Sequence, residues 1–210
     1  ARYNSSRLPG KPLLLIAGKP MIQRVYDCAR EAGFKDIIIA TDDERISETC
    51  RAFGADVCMT SASHETGSDR LAEVVALRKL DDEDIIVNLQ GDEPLTPAVN
   101  LRQVAYNLES HSEAMIATLC TSIMSEAEYE DPNIVKVVTD NNGMAMYFSR
   151  ASIPYQRDTD TPAAEFAKRH LGIYAYRVGY LRNFVQMESC QLEVKLSVPS
   201  VTFALVSMKF

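Results

Sequence analysis

The chain has 210 residues, 46% of them hydrophobic and 24% charged, with a formal net charge of −7. These are globular values that exclude disorder and low complexity, and a chain of this length buries about 70% of its unfolded surface without a disulfide or metal staple. The acidic balance argues against a nucleic-acid polymer as partner. No apolar run approaches the roughly 20 residues of a membrane span, and no signal-like segment opens the chain.

The charge is unevenly spread. Arg2, Arg7, Lys11, Lys19 and Arg24 fall between Ala1 and Tyr26 with no acidic residue among them. An acidic protein with one basic end is expected to meet a small anion there. The opening run ARYNSSRLPGKPL has neither strand nor helix period. Its small polar residues, Gly10 and three cations suit a loop that surrounds a phosphate chain, with Arg2 and Arg7 as planar forks and Lys11 as a point charge. A solvated basic loop is the competing reading, since neither the Walker pattern nor G-x-G-x-x-G is present.

Beyond the loop, the chain alternates helix and strand. Met21, Ile22, Val25, Cys28 and Ala29 recur at helical spacing after Pro20, which is suited to a first helical position. Asp36–Thr41 is β-branched and reads as a buried strand. Asp42 or Asp43 is expected to cap a helix running through Phe53 and stopping at Gly54. Next, SHETGSDRLAE passes from loop to helix. Ser68 is expected to cap a helix over Asp69–Lys79, with Leu71, Val74, Val75 and Leu77 on one face. Ser68, Arg70 and the backbone N–H groups there suit either a base edge or anion, or simple helix capping.

Ile85–Gln90 is a second apolar strand, ending in the turn Gly91-Asp92-Glu93-Pro94. Ligands of open α/β sheets bind beyond the carboxyl ends of strands. Asp92 is therefore a candidate ligand for Mg²⁺, a cation that takes one or two carboxylates plus substrate phosphates, and Gly91 permits close backbone approach. A solvated Asp at a strand-to-turn junction is the alternative. A helix from Pro97 to Leu108 and strands at Met115–Leu119 and Val135–Thr139 complete an expected α/β fold with a mostly parallel sheet. From about Asp131 the strands shorten, at Met144–Phe148 and Ile173–Arg177, which predicts a smaller lobe over about 131–180 within a single domain spanning 1–210.

In that lobe, Tyr155-Gln156-Arg157-Asp158 and Lys168-Arg169-His170-Leu171-Gly172-Ile173-Tyr174 combine cations, His and Tyr, as suits an anionic, hydroxyl-rich ligand; a structural role for His170 is equally open. Val198–Val206 reads as a further strand. Cys28, Cys50, Cys58, Cys120 and Cys190 are widely spread and never paired as C-x-x-C, so free thiols in a reducing compartment are expected. His64, His111 and His170 lack metal spacing.

In order and identity, the blocks ARYNSSRLPGKPL, ATDDERI, HETGSDRLAE, IIVNLQGDEP, NIVKVV, YFSRASIPYQRD and RHLGIYAYR closely resemble the 3-deoxy-manno-octulosonate (Kdo) cytidylyltransferases, from Ala1 to about Glu193. The resemblance implies a Rossmann-like nucleotidyltransferase fold with a smaller dimerisation and sugar-binding lobe. It also implies Mg²⁺, a cytoplasmic homodimer, and transfer of CMP from CTP to the anomeric hydroxyl of Kdo for lipopolysaccharide synthesis. Arg2, Lys11 and Asp92 would then be catalytic, with Asp92 on the metal. Arg7 would hold the CTP phosphates, and Ser68 and Arg70 would line the cytosine and ribose pocket. Gln90, Arg157, His170 and Tyr174 would bind the sugar acid. Transfer to another sugar acid, such as a sialic acid, and an inactive nucleotide-binding dimer are the alternatives. The family's hydrophobic first strand and closing G-V-D-T motif do not occur in the chain. Their absence implies missing sequence at both ends and leaves Asp92 without an assigned metal-binding partner.

Overall fold

A computed structural model describes residues 1–3, 8–64, 66–155, 157 and 161–187, and the backbone of 204–208. The chain divides into two compact units. One comprises Ala1–Asp84, Asn88–Gln103 and Val178–Val185; the other comprises Ile85–Val87, Val104–Arg177 and Gln186–Phe210.

The first unit begins with a 3-10 turn at Lys11–Leu13, followed by a hairpin of β1 (Leu15–Ile16) and β2 (Lys19–Pro20). Sequence periodicity missed this hairpin because each strand has only two residues. Helix α1 (Met21–Glu31) starts one residue after Pro20, which caps it rather than opening it, and buries Met21, Ile22, Val25 and Ala29. Strand β3 (Ile38–Thr41) pairs in parallel with β4 (Asp56–Met59) through α2 (Glu44–Ala52), a right-sized βαβ crossover. Asp43 caps α2 by accepting from the Arg45 N–H. Ile46 and Cys50 of α2 join Ile22, Ile39 and Ala55 in one apolar cluster.

Helix α3 (Gly67–Arg78) corrects two expectations. Its cap is Thr66, not Ser68. The Thr66 hydroxyl accepts from the Asp69 N–H while the Asp69 carboxylate accepts from the Thr66 N–H, a reciprocal capping box. Its buried face carries Arg70, Val74 and Val75, whereas Leu77 is exposed. Helix α6 (Val178–Phe184) completes this unit.

The second unit is built on a six-stranded sheet ordered β10-β6-β9-β7-β8, with β5 (Ile85–Asn88) also pairing with β9. Helix α4 (Ala98–Ser110) follows β5 and buries Leu101, Val104 and Leu108. Strand β6 (Ile116–Ser122) has five consecutive buried residues, Ile116–Cys120, as suits a strand paired on both sides. Its neighbours are β10 (Ala204–Met208), which is parallel to it, and β9 (Lys168–Arg177), which is antiparallel. The strand expected over Val198–Val206 therefore begins at Ala204, and residues 198–203 lie outside the described part.

Parallel pairing is thus confined, among the described pairs of known direction, to β3–β4 and β6–β10. Strands β7 (Lys136–Thr139) and β8 (Ala145–Ser149) form an antiparallel hairpin, and β7 is antiparallel to β9. The Asp140 carboxylate closes the hairpin turn by accepting from the N–H groups of Asn142 and Met144. The five residues 140–144 cannot carry a parallel crossover, so the chain has to reverse here. Helix α5 (Glu126–Glu130) is capped by Ser125 and brings Tyr129 into a cluster with Ile123, Ala163 and Ala167.

One buried cation holds this hairpin to its surroundings. Lys136 is fully buried, and its ammonium donates to the carbonyls of Asp131, Ile134 and Arg150 at 2.9, 2.8 and 2.7 Å. Three donors meet three backbone acceptors, and the nearby Asp131 carboxylate adds to their compensation of the charge.

Candidate active site

In the first unit the opening loop and the Gly-Asp turn come together. Gly10 adopts φ 70°, and its N–H donates to the Tyr3 carbonyl at 2.8 Å, closing the neck of the loop. A Cβ at position 10 would lie 3.2 Å from the Tyr3 ring, which is covered on another side by the Arg45 guanidinium 3.3 Å from the ring centroid. Arg45 is itself held by the Asp43 carboxylate, so the neck rests on the N-terminus of α2.

Leaving the neck, the chain presents Lys11, whose ammonium donates to Asp92 at 2.9 Å. The side chains of Lys11 and Asp92 are 37% and 49% exposed, so this contact is a surface pair worth about 0–1 kcal/mol. It can be exchanged for a ligand at little cost. A Cβ at Gly91 would meet Ala1 at 3.2 Å and Ile22 at 3.3 Å, so the backbone before Asp92 approaches α1 as closely as glycine allows. Gln90 is exposed just ahead of it.

The start of α3 lies against the same strand end. A Cβ on Gly67 would be 3.9 Å from the Asn88 amide nitrogen. Ser68 in this first turn is half-buried. Arg70 is not a free surface cation: it is 5% exposed and donates to Asp42 at 2.9 Å and to the Thr60 hydroxyl. Thr60 in turn bonds the Thr41 carbonyl at the end of β3. Arg70 therefore ties the ends of β3 and β4 to α3, and any contact with a base has to use what this pairing leaves over. The neighbouring loop is held by Glu73, which accepts from His64 and from the Ser61 N–H; these bonds, the His64 bond foremost, hold its carboxyl below the usual range.

Arg2 is exposed, and Arg7 lies outside the described residues. A groove in this unit is lined by Lys19 and Arg24 of the basic end, but not by Arg2, Lys11 or Asp92. Asp27, Arg30 and Glu31 also line it, so its charges are mixed in sign and it is not a purely cationic cradle.

In the second unit the residues singled out for a sugar ligand sit on β9. His170 and Tyr174 have ring centroids 5.4 Å apart, although four residues along a regular strand span about 13 Å. The register explains this closeness. Thr118 of β6 faces Tyr174 while Leu119 faces Leu171, so one step of β6 opposes three of β9. The bulge draws the two rings to one place, a recurring use of bulges. Phe148 packs edge-on against His170, with centroids 4.9 Å apart. Burial lowers the imidazole pKa to about 4 and pushes the Tyr174 phenol up, so both side chains are neutral. Arg157 is exposed, and its neighbours Gln156 and Asp158 lie outside the described residues.

Two partners escaped the sequence reading. Thr118 is fully buried, and its hydroxyl lies 2.9 Å from His170 Nε2, 3.1 Å from the Leu171 carbonyl and 2.8 Å from the Ile173 carbonyl. Its only sequence signal is a hydroxyl inside an apolar strand. Asp42, the partner of Arg70, had been weighed only as a helix cap.

Comparison with known proteins identifies the family. A family model described as cytidylyltransferase matches residues 1–201. The 3-deoxy-manno-octulosonate cytidylyltransferase of Thioalkalivibrio sulfidiphilus is 54% identical over 198 residues, covering 92% of this chain and 79% of that protein. Its counterpart in Hahella chejuensis is 55% identical over 199 residues, covering 92% and 78%. Among solved structures, a CMP:2-keto-3-deoxy-manno-octonic acid synthetase complexed with CTP superimposes with a TM-score of 0.86 at 44% identity, covering 94% of this chain and 80% of that one. A cytidylyltransferase from Leptospira borgpetersenii, 18% identical with a TM-score of 0.62 and covering 99% and 72%, shares the fold. Identity at this level across most of the length places the α/β nucleotidyltransferase fold beyond coincidence, and the chain belongs to the 3-deoxy-manno-octulosonate cytidylyltransferase family.

Proposed function

We propose that the protein transfers CMP from CTP to the anomeric hydroxyl of Kdo, releasing pyrophosphate and forming CMP-Kdo for lipopolysaccharide synthesis. The observation that carries this reading is the Lys11–Asp92 contact, which joins the basic opening loop to a carboxylate at a strand end. A sugar acid of the sialic type is not favoured, since the named relatives are Kdo enzymes.

The Kdo hydroxyl oxygen attacks the α-phosphorus in line, and its proton is lost to water. The bond from the α-phosphorus to the bridging oxygen breaks, and pyrophosphate carries the electron pair away. No covalent enzyme intermediate is required, so catalysis rests on positioning and charge. Lys11 and Arg2 offset the charge of the leaving pyrophosphate, and Arg7 holds the triphosphate. Ser68 and Arg70 bound the nucleoside side. Gln90, Arg157, His170 and Tyr174 receive the sugar acid.

The donor set suits Mg²⁺. Asp92 gives one oxygen to Lys11 and keeps the other, and it is half exposed. No group of three or more His, Cys, Asp or Glu among the described residues forms an all-protein cage. A single carboxylate completed by substrate phosphates is the usual arrangement for this ion. Bound there, Mg²⁺ would supply Lewis-acid polarisation of the α-phosphate. Arrival of the triphosphate draws Lys11 to the phosphates and frees Asp92.

A homodimer is part of the reading, supported by exposed Met146 and Tyr147 on β8. A cytoplasmic setting is supported by the free thiols of Cys28, Cys50, Cys58 and Cys120; Cys190 lies outside the described residues. No helix among the described residues is long and apolar enough to cross a membrane. The test is pyrophosphate release from CTP with Mg²⁺ and either Kdo or a sialic acid. Release with Kdo that EDTA abolishes is expected. Release with sialic acid and none with Kdo overturns the assignment.

A further inference from the structure

The bulge in β9 leaves the carbonyls of Leu171 and Ile173 facing one hydroxyl, that of Thr118, which also contacts His170 Nε2. A hydroxyl has one proton. If Thr118 gave it to the imidazole, its lone pairs would face two carbonyl oxygens at 3.1 and 2.8 Å, lone pair against lone pair. Giving the proton to a carbonyl instead turns a Thr118 lone pair toward His170, whose Nε2 must then carry a hydrogen. The second ring nitrogen, Nδ1, is left unprotonated, because burial keeps the imidazole from charging above about pH 4.

Nδ1 bonds no protein group among the described residues. Among the described residues, the fully buried side-chain polar atoms without a partner are Ser47 Oγ and Asn100 Oδ1, and Nδ1 is not one of them, so it is not sealed from solvent. Its lone pair is thus an available acceptor, its direction held by Thr118 at Nε2 and by packing against the rings of Phe148 and Tyr174.

We propose that Thr118 is a positioning residue for the sugar acid: from inside the β9 bulge it holds His170 as the neutral Nε2–H tautomer, so that Nδ1 accepts a hydrogen bond from a sugar hydroxyl. This inference rests on the reading of β9 as the sugar-binding strand. It deepens that reading by specifying the ligand group. The Nδ1 lone pair repels a carboxylate, so His170 selects for a hydroxyl, and the carboxylate falls to the cations of the same blocks.

The test uses the full-length ¹⁵N-labelled protein near neutral pH, with long-range proton–nitrogen spectra of the imidazoles. His170 is assigned against His64 and His111 by its loss in His170→Gln. The wild-type protein is expected to show a pyrrole-type nitrogen at Nε2 and a pyridine-type nitrogen at Nδ1, with the Nδ1 resonance moving when Kdo is added. Thr118→Val should mix the tautomers and raise KM for Kdo about tenfold while KM for CTP stays unchanged. Thr118→Ser, which keeps the hydroxyl at less risk to folding, should restore both readouts. A hydrogen on Nδ1 in the wild type overturns the proposal, as does a Thr118→Val protein with unchanged tautomer and KM. If the tautomer is as expected but His170→Gln leaves KM for Kdo unchanged, the role in sugar selection falls while the transferase reading stands. If the wild type shows no turnover with Kdo, the transferase reading falls, and the spectra still decide whether Thr118 sets the tautomer.

Discussion

In the first unit Lys11 and Asp92 meet through a half-exposed ion pair, whereas in the second His170, Tyr174 and Thr118 meet as neutral groups packed into a bulged strand. On the proposed assignment of the triphosphate to the first place and the sugar acid to the second, the contrast follows from what each has to bind. A triphosphate brings several charges and its own cation, so the protein needs charges that can change partners, and water screens them cheaply until the ligand arrives. A sugar acid brings hydroxyls, whose recognition depends on direction more than on charge, so the donors and acceptors are fixed in advance by packing. Arg70 is the exception in the first unit, a cation buried against Asp42 and Thr60.

Asp92→Asn probes this contrast with the largest expected effect. Turnover should fall on the order of a thousandfold, since charge stabilisation at the reacting phosphate is lost. Urea unfolding should change by less than about 1 kcal/mol, because the surface pair contributes little. Normal Mg²⁺-dependent pyrophosphate release by this variant would remove Asp92 from the site.

Arg70→Met tests the exception. Removing one partner of a buried pair leaves the Asp42 carboxylate uncompensated, and a loss of about 3 kcal/mol in urea unfolding is expected. A loss below about 1 kcal/mol would make Arg70 a surface cation like Lys11 and erase the distinction.

The pH dependence tests the neutral cluster with the smallest effect. The folded-state pKa of His170 is about 4 against an ordinary value of 6.5, so the unfolded chain binds a proton in a window where the native protein does not. Stability from this group is full above pH 6.5 and falls as the pH drops toward 4, with a slope of at most about 1.4 kcal/mol per pH unit. His170→Gln should flatten that part of the stability curve. An unchanged slope would show that the imidazole charges freely.

Much of this was legible in the sequence, for reasons particular residues make clear. Helix α1 could be read because Met21, Ile22, Val25 and Ala29 repeat at helical spacing, and α2 because Asp43 and Gly54 punctuate it. The cap of α3 was misplaced from Thr66 to Ser68 because Thr66, Ser68 and Asp69 are all cap-forming residues within one turn, and the reciprocal bonds alone separate them. The antiparallel part of the second unit was hidden because an apolar β-branched run reads the same in either direction, and only the turn between β7 and β8 sets it. Leu77 shares the helical spacing of Val74 yet is exposed near the C-terminal end of α3, because periodicity does not record where the neighbouring elements stop.

The sequence by itself determined the α/β class and the basic opening loop, and it proposed Lys11, Asp92, His170 and Tyr174 for chemistry, since residue type and local spacing carry that information. Tertiary structure decided which of them are exchangeable charges and which are locked. That distinction depends on partners far along the chain: Asp92 for Lys11, Asp42 for Arg70, and Thr118 for His170. Burial and register act between strands, and local pattern carries no record of the strand that will lie opposite.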